Sequence, residues 1–460
     1  MSHRIEKDSM GELRVPVSAL YQAQTQRAVQ NFAISSATMP AGFIRALLLI
    51  KQAAAHANGE LGLLTQAQAN AITTAAQQQL DKLDLSQYPV SVFQTGSGTS
   101  SNMNANEVLA TLATEILGEK VHPNDHINLG QSSNDTIPSA IHVSAAIAIA
   151  HNLLPAIQHL SQELDAQIAS HGDIIKTGRT HLMDAMPVSF AQVFSAWQAQ
   201  LNHAKTVIDE QLQRLLQLAQ GGTAVGTGIN AHADFSALLC QQLSHTTGLD
   251  VKPANNLFFS IGSQDVAVAT SGALKTLAVA LMKIANDLRW MNAGPLAGLA
   301  EIELPALQPG SSIMPGKVNP VIPEAVAMAC TQVVGHDNAI TLAGQSGNFE
   351  LNVMLPLIAS NLLDSIGLLT GSCTALADQA LKGLKINQHN IASALARNPI
   401  LVTALNPIIG YEKAAAIAKQ AYQQQRPVIE VAAELTDIPL AQLKVLLDPA
   451  KLTGKGAADN

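Results

Sequence analysis

The chain has 460 residues, of which 47% are hydrophobic, only 3% aromatic and 13% charged, and its formal net charge is -8. Such a length exceeds one ordinary core, and an apolar interior built from Ala, Leu, Ile and Val favours close-packed helices over sheets. The negative balance excludes a basic face for nucleic acid or an anionic membrane, so an anion site has to be locally positive.

The first residues, Met1 to Asp8, contain no apolar stretch of the kind an export signal needs. Cys240, Cys330 and Cys373 are too widely spaced for a disulfide framework or a metal-ligand pair, which predicts a reducing cytoplasm. Helical patterns cover 40–61 and 65–80 within an opening region otherwise broken by loops rich in Gly, Ser, Thr and Asn. Long helices are predicted at 138–170, 187–220, 264–291, 323–342 and 351–382, several with Pro near the first helical position. In the second of these, Phe190, Phe194, Trp197, Leu201, Ile208 and Leu215 belong to a series spaced by three and four. It reads as one helix of roughly 45 to 50 Å at 1.5 Å per residue. The apolar stretch 266–290 is interrupted by Lys275, Lys283 and Asp287, so it reads as a buried helix and not a membrane span. Runs such as 145–150 are apolar all round, so one neighbour cannot cover them and bundle-on-bundle association is expected. Beyond residue 387, short helices alternate with breaks at Pro399, Pro407, Pro427 and Pro439. The expected plan is mainly α, in three domains: a mixed, mostly helical 1–132, a long-helix bundle at 133–388, and a small helical 389–460.

Four polar, Gly-bearing segments interrupt this background, at 95–107, 122–135, 176–184 and 310–320. Their Ser, Thr, Asn and Asp read either as helix caps or as donors that join unpaired helix N-terminal amides around a carboxylate or phosphate. Four segments of this density favour the functional reading. The last, Gly310-Ser-Ser-Ile-Met-Pro-Gly-Lys-Val-Asn-Pro320, sets two hydroxyls, one ammonium and one amide between residues that cannot continue a helix. That suits a flap closing over an anion. It is not a phosphate-binding P-loop, because five residues separate Gly310 from Gly316 and Val318 follows the Lys.

His181, beside Thr180 and ahead of Pro187, is a candidate general acid/base, with Glu324 as the acid that would fix its tautomer. Glu324 reads equally as a carboxylate satisfying a helix N-terminus. His122, Asp125 and His126 invite a metal reading, yet Pro123 breaks the helical face and no further cluster completes a site, so no metal is expected. The segment 221–228 follows a long helix and lacks the spacing of a dinucleotide turn, so it reads as a helix C-terminal turn packed against the site loops. No Gly-x-Ser-x-Gly surrounds Ser311 or Ser312, which argues against an acyl-enzyme hydrolase.

Together these segments resemble the fumarase/aspartase superfamily, whose signature loop is matched without a gap by 310–319. Gly178-Arg-Thr-His181 and Gly347-Asn-Phe-Glu-Leu-Asn352 resemble the class II fumarases of that superfamily, where aspartases typically read otherwise. The resemblance implies a fumarase/aspartase-like fold and reversible anti addition of water to fumarate, giving L-malate, with no cofactor. It also implies a homotetramer whose core is the long helices and whose active sites each draw on three subunits. By resemblance Ser311 takes the C3 proton and His181 with Glu324 handles the water or departing hydroxyl. Ser97, Gly98, Thr99, Ser132, Ser133, Asn134, Thr180, Ser312, Lys317, Val318 and Asn319 are implied at the substrate. A serine is a weak base, so its oxyanion needs stabilising by Lys317 and adjacent amides. A secondary dicarboxylate site is implied at His122, Pro123, Asn124 and Asp125, although Glu119 stands before Lys120 where relatives often carry Arg. Asn256-Leu-Phe-Phe-Ser260 likewise departs from the family's Asn-x-Phe-Glu-Ala. The rival within the superfamily is an ammonia-lyase acting on aspartate, and outside it a non-catalytic helical scaffold.

Overall fold

The structure, a computed structural model, describes residues 2–454. Strands β1 (His3–Asp8) and β2 (Gly11–Pro16) form an antiparallel hairpin, followed by α1 (Ala23–Asn31). This helix has no cap of its own. The buried Glu107 supplies one, accepting the backbone N–H groups of Gln22, Gln24 and Thr25 at 2.9, 2.9 and 3.1 Å. Next come α2 (Ala41–Glu60) and α3 (Gln66–Asp81), the latter opened by a capping box between Thr65 and Gln68. Left-handed Gly98 and Gly118 bound α4 (Thr99–Leu117). Helix α5 (Ser133–Ala148) continues through a π-helical turn (Ile149–Leu153) into α6 (Leu154–His171).

A second antiparallel hairpin, β3 (Ile175–Thr180) with β4 (Met183–Ser189), leads into α7 (Phe190–Leu215). Then follow β5 (Gln217–Leu218), α8 (Phe235–Thr247) and β6 (Lys252–Pro253), the two short strands pairing in parallel. Helices α9 (Leu257–Gly262) and α10 (Asp265–Met291) precede β7 (Ile302–Glu303), α11 (Val321–Gly344) and α12 (Leu355–Ala375). Strand β8 (Lys385–Ile386) pairs with β7. The described chain closes with α13 (Gln388–Ala396), α14 (Asn406–Ile409), α15 (Tyr411–Gln424), α16 (Val428–Leu435) and α17 (Leu440–Leu446).

Several expected boundaries move for local reasons. Pro187 does not open the helix of 187–220 but lies in β4 opposite Thr177. The helix begins at Phe190, where Ser189 and Gln192 cap each other: Ser189 N–H donates to Gln192 Oε1 at 3.0 Å and Gln192 N–H to Ser189 Oγ at 3.1 Å. It stops at Leu215, because Gln217 and Leu218 pair with Lys252 and Pro253. Pro138 likewise stands inside a helix that already begins at Ser133. The polar segment 95–107 is helical from Thr99 onward, and the helix expected from Leu351 starts at Leu355, after a bridge between Asn348 and Leu351.

The chain forms two compact units. Unit 1 comprises the residues up to Pro155, Lys205–Ala278 and Thr331–Thr370; unit 2 comprises Ala156–Ala204, Val279–Cys330 and Gly371 onward. The core of unit 1 is aliphatic, with Phe43, Leu47 and Ile50 of α2 buried together with Ile72, Val108, Ile137 and Leu239. Unit 2 buries an aromatic ladder along α7, where Phe190 and Phe194 lie 5.5 Å apart and Phe194 and Trp197 5.3 Å apart between ring centroids. A separate cluster joins Leu401, Leu405, Ile417, Val431 and Leu443 among the C-terminal helices. The helical stretches 133–171 and 265–291 are long and apolar enough to cross a membrane by length and composition, with 61% and 50% of their apolar windows buried within the chain.

Cys240, Cys330 and Cys373 are free and buried, and burial pushes each thiol up to about 12. At neutral pH the native protein should therefore titrate with essentially no thiol over minutes against an aromatic disulfide reagent, and with all three once denatured. Rapid reaction of a native thiol would reveal local opening around it.

Candidate active site

Close packing of two helix starts builds the polar surface of unit 1. Gly98 has φ +72°, and a Cβ there would lie 2.9 Å from two carbons of Ile137 on α5. At Gly96 it would lie 1.8 Å from the carbonyl oxygen of Val353. Only glycine permits both approaches, and they press the Ser97–Thr99 turn against α5. Ser97 Oγ and Thr99 Oγ1 stand 2.8 Å apart. Asn102, one turn into α4, donates from Nδ2 to Ser133 Oγ at 3.0 Å, which ties the two N-termini side by side. Two positive helix ends and their hydroxyls thus converge on one face.

The start of α5 is held from within. Ser132 caps it, accepting the Asn134 N–H at 3.2 Å, while the Ser132 N–H donates to Asp135 Oδ1 at 2.9 Å. The other oxygen of Asp135 accepts the N–H groups of Gly221 and Thr223 at 3.0 and 2.8 Å. Asn134 Nδ2 donates to the Ala224 carbonyl at 2.8 Å. The segment 221–228 thus packs against the start of α5, as expected, but it follows strand β5 and not the C-terminus of a long helix. Beneath it, buried Lys51 donates to Asn128 Oδ1 and Gln131 Oε1, both at 2.9 Å, and Asn102 and Asn106 also donate to Asn128 Oδ1. Burial pushes the Asp135 carboxyl up to about 6 against the downward pull of its three amides, and pushes the Lys51 ammonium down to about 7.

In unit 2, Thr180 pairs with Met183, and His181 and Leu182 form the two-residue turn between them with φ of +56° and +61°. Two left-handed residues in succession are the geometry of a tight hairpin turn usually made by Asn and Gly. A His there is strained by about 1 kcal/mol, as at many functional sites. The base of the hairpin is fixed by the buried Glu301, which takes Arg179 Nη1 at 2.7 Å and Lys176 Nζ at 3.1 Å. Thr180, His181, Leu182 and Met183 are all exposed.

The loop 310–320 closes on itself. Asn319 Nδ2 donates to the Gly310 carbonyl at 2.9 Å, and a Cβ at Gly310 would lie 2.1 Å from the Lys317 carbonyl oxygen. Ser311 Oγ accepts the N–H groups of Ile313 and Met314 at 3.3 and 3.1 Å. Two amides aimed at one hydroxyl oxygen are what an alkoxide there would require. Ser312, Lys317 and Val318 are exposed; the Lys317 backbone N–H donates to the Met314 carbonyl at 3.2 Å, while its ammonium makes no hydrogen bond or ion pair among the described residues. Glu324 lies in the first turn of α11, beside a cavity of about 490 Å³ lined also by Asn286, Arg289, Trp290, Ala293 and Pro320.

Ser97, Gly98, Thr99, Ser132, Ser133 and Asn134 thus come together in unit 1, while Thr180, His181 and the 310–319 loop belong to unit 2. Among the described residues no hydrogen bond or ion pair joins His181 to Glu324 or to the loop. His122, Pro123, Asn124 and Asp125 lie in or at a π-helical turn whose cap is His122 itself, with Nδ1 accepting the N–H groups of Asn124 and Asp125 at 3.3 and 3.1 Å. His126 Nδ1 similarly accepts the His122 N–H at 2.9 Å. Among the described residues no group of three or more His, Cys, Asp or Glu is placed to hold a metal ion. Lys51, Asn106 and Asn128 escaped the sequence reading. For Lys51 a signal existed, since a lone cation among Leu47, Leu48, Ile50 and 53–55 has no polar face to reach.

A long-helix fold carrying these hydroxyl, amide and ammonium donors defines a lyase of the fumarase/aspartase kind. Residues 11–335 match the family model described as "Lyase", and 401–454 match "Fumarase C C-terminus". The chain is 63% identical to "Fumarate hydratase class II 2" of Pseudomonas aeruginosa, over 98% of this chain and 99% of that protein. It is 59% identical to "Fumarate hydratase class II" of Xylella fastidiosa, over 99% and 96%. The class II fumarase structure from Schistosoma mansoni superposes with a TM-score of 0.95 at 38% identity, covering 100% of both chains. The chain belongs to this lyase family and, within it, to the class II fumarases.

An ordinary Asp titrates near 3.8 and folded Asp135 at about 6, so the native state holds this proton more tightly than the unfolded chain does. The stability that the protonated carboxyl contributes is fully present below about pH 4 and is lost as pH rises through about 6. Wild-type stability should therefore fall relative to that of Asp135→Asn between about pH 4 and 7, as read by urea unfolding. A relative rise over that window would show that the carboxylate is held ionised.

Proposed function

We propose that the chain is a metal-independent class II fumarate hydratase, a carbon–oxygen lyase that interconverts fumarate and L-malate by anti addition of water. Dehydration of malate removes a weakly acidic proton beside a carboxylate, so the dianionic aci-carboxylate must meet donors already in place. Ser97, Thr99, Ser132, Ser133, Asn134, Thr180, Lys317 and Asn319 are the donors of this reading, with Gly98, Ser312 and Val318 beside them. The observation that carries it is Ser311 Oγ facing the amides of Ile313 and Met314, which makes a serine a credible base for the C3 proton. His181 exchanges a proton with the water or departing hydroxyl, and Glu324 orients it.

The reading includes a homotetramer with sites shared among three subunits, and a soluble enzyme of the cytoplasm and the tricarboxylic acid cycle. The shared site is supported by the apolar side chains exposed next to the polar ones, with Leu182 65%, Ile313 84% and Phe349 96% exposed. The division into 1–132, 133–388 and 389–460 belongs to the same proposal, as does a secondary dicarboxylate site at 122–125.

The purified protein should form fumarate, followed in the ultraviolet, from L-malate and not from L-aspartate, with the same rate in a strong chelator. Activity on aspartate would move the chain to the ammonia-lyases, and inactivity on both would remove the hydratase reading. His181→Asn should fold normally and lose about 10²- to 10⁴-fold in kcat, the usual worth of a general acid/base, and Ser311→Ala should lose a similar factor. Co-assembled, the two inactive variants should recover part of the activity, because some mixed sites contain both intact residues. No recovery would count against sites shared between subunits.

A further inference from the structure

Lys51 lies in the middle of α2 with no exposed surface, and among the described residues it forms no ion pair with a carboxylate, Asp135 acting on it only from beyond ion-pair distance. Its ammonium is held by two amide oxygens, Asn128 Oδ1 and Gln131 Oε1. A buried charge so held is an unfavourable arrangement that a hydrocarbon side chain would avoid, which calls for a reason beyond packing.

In its charged form, which the nearby Asp135 carboxylate favours against burial, Lys51 can only donate. Asn128 must therefore turn its oxygen to Lys51, and that oxygen then accepts from Asn102 Nδ2 at 3.1 Å and Asn106 Nδ2 at 3.2 Å. Its own Nδ2 donates to the Gln131 carbonyl at 3.1 Å. Asn102 is thereby fixed with its NH₂ toward Asn128, and that NH₂ also reaches Ser133 Oγ at 3.0 Å. Since the Ser133 oxygen accepts from inside, its single O–H is left for the outward side. The penalty of this one-way order is visible, because Asn102 Oδ1 and Asn106 Oδ1 are buried with no hydrogen-bond partner among the described residues. A network free to turn its amides over would relieve them.

We infer that Lys51 is a positioning residue: it sets the direction of the Asn128–Asn102–Ser133 relay so that Ser133 offers a hydrogen-bond donor to a substrate carboxylate. With an apolar side chain at 51, the charged contact that orients Asn128 is lost and only its Nδ2 bond to the Gln131 carbonyl opposes a turn; once Asn128 and Asn102 turn, Asn102 Oδ1 can accept the Ser133 O–H, and the donor is withdrawn. The inference rests on the hydratase reading of the site.

The test is a kinetic cycle on the full-length protein with Lys51→Met, Ser133→Ala and the double variant. Each single change should raise KM for malate and fumarate by about tenfold, the scale of one hydrogen bond to a charged group, with a smaller change in kcat. The double variant should be no worse than the poorer single one, because both remove the same donor. KM effects that multiply, or an unchanged KM in folded Lys51→Met, would overturn the relay and leave the hydratase reading standing. Should Lys51→Met fail to fold, Asn102→Leu takes its place in the cycle and is judged by the same rule. Should the wild type not turn over malate, binding of succinate followed by thermal shift replaces KM: weaker binding in Lys51→Met supports the relay alone. No binding by the wild type overturns both.

Discussion

Asp135 is fully buried, and its two oxygens together accept backbone N–H groups from Ser132, Gly221 and Thr223. The polar face that α4 and α5 form in unit 1 depends on this contact. A helix N-terminus that is to receive an anion has to leave its own amides and hydroxyls unspent, yet it must still be fixed in place. Asp135 resolves the conflict by gripping α5 from the interior side, through the turn after β5, and Asn134 adds its own tie to Ala224, so the Ser133 O–H is not needed as an anchor. The glycines at 96 and 98 then let the neighbouring helix start approach to backbone distance. Without that approach Asn102 could not span to Ser133.

Unit 2 handles the same problem with different materials. The hairpin is rigid at its base, where one buried carboxylate holds Lys176 and Arg179, and exposed at its tip, where His181 stands in a strained left-handed turn. The loop 310–319 repeats the pattern, tied by Asn319 and by the Gly310 approach at its neck while Ile313 and Lys317 are exposed. An anchored base with an exposed reactive tip is the form expected of an element that completes a site elsewhere in an assembly. It also keeps the amides of Ile313 and Met314 on Ser311.

The long helices were legible because their apolar spacing and Gly or Pro punctuation are local properties. The errors fell where a neighbour overrode the local pattern. Pro187 resembles a helix opener, but pairing with Thr177 draws it into a strand, and the Ser189–Gln192 capping box that marks the true start is also in the sequence. The hairpin at His181 could not be read, since Thr-His-Leu-Met lacks the Asn-Gly or Asp-Gly pair that marks such a turn. The polar density of 95–107 was visible, but its uses were not: Glu107 caps α1, Asn102 bridges to Ser133, and Asn106 feeds Asn128. Pairing His181 with Glu324 rests on chemical complementarity and resemblance, and among the described residues no hydrogen bond or ion pair joins them.

A chain with a net charge of -8 that is to bind a dicarboxylate must create local positive potential without drawing cations to its surface generally. The charges used are few and placed by depth. On the proposed reading Lys317, exposed on a loop, can follow the substrate. Lys51 is buried, where water cannot screen it and where only donors remain to pass its influence outward. Between these extremes the work falls to neutral groups, namely hydroxyls, carboxamides and the ends of α4 and α5. Neutral donors have a further advantage for a reaction whose intermediate is more negative than its substrate. They are weaker than full charges toward the ground state, yet because their direction is fixed in advance they gain as charge develops, without reorganising. Fixed direction is therefore as much a part of the chemistry as the donors themselves, and a buried cation able only to donate is a simple means of fixing it.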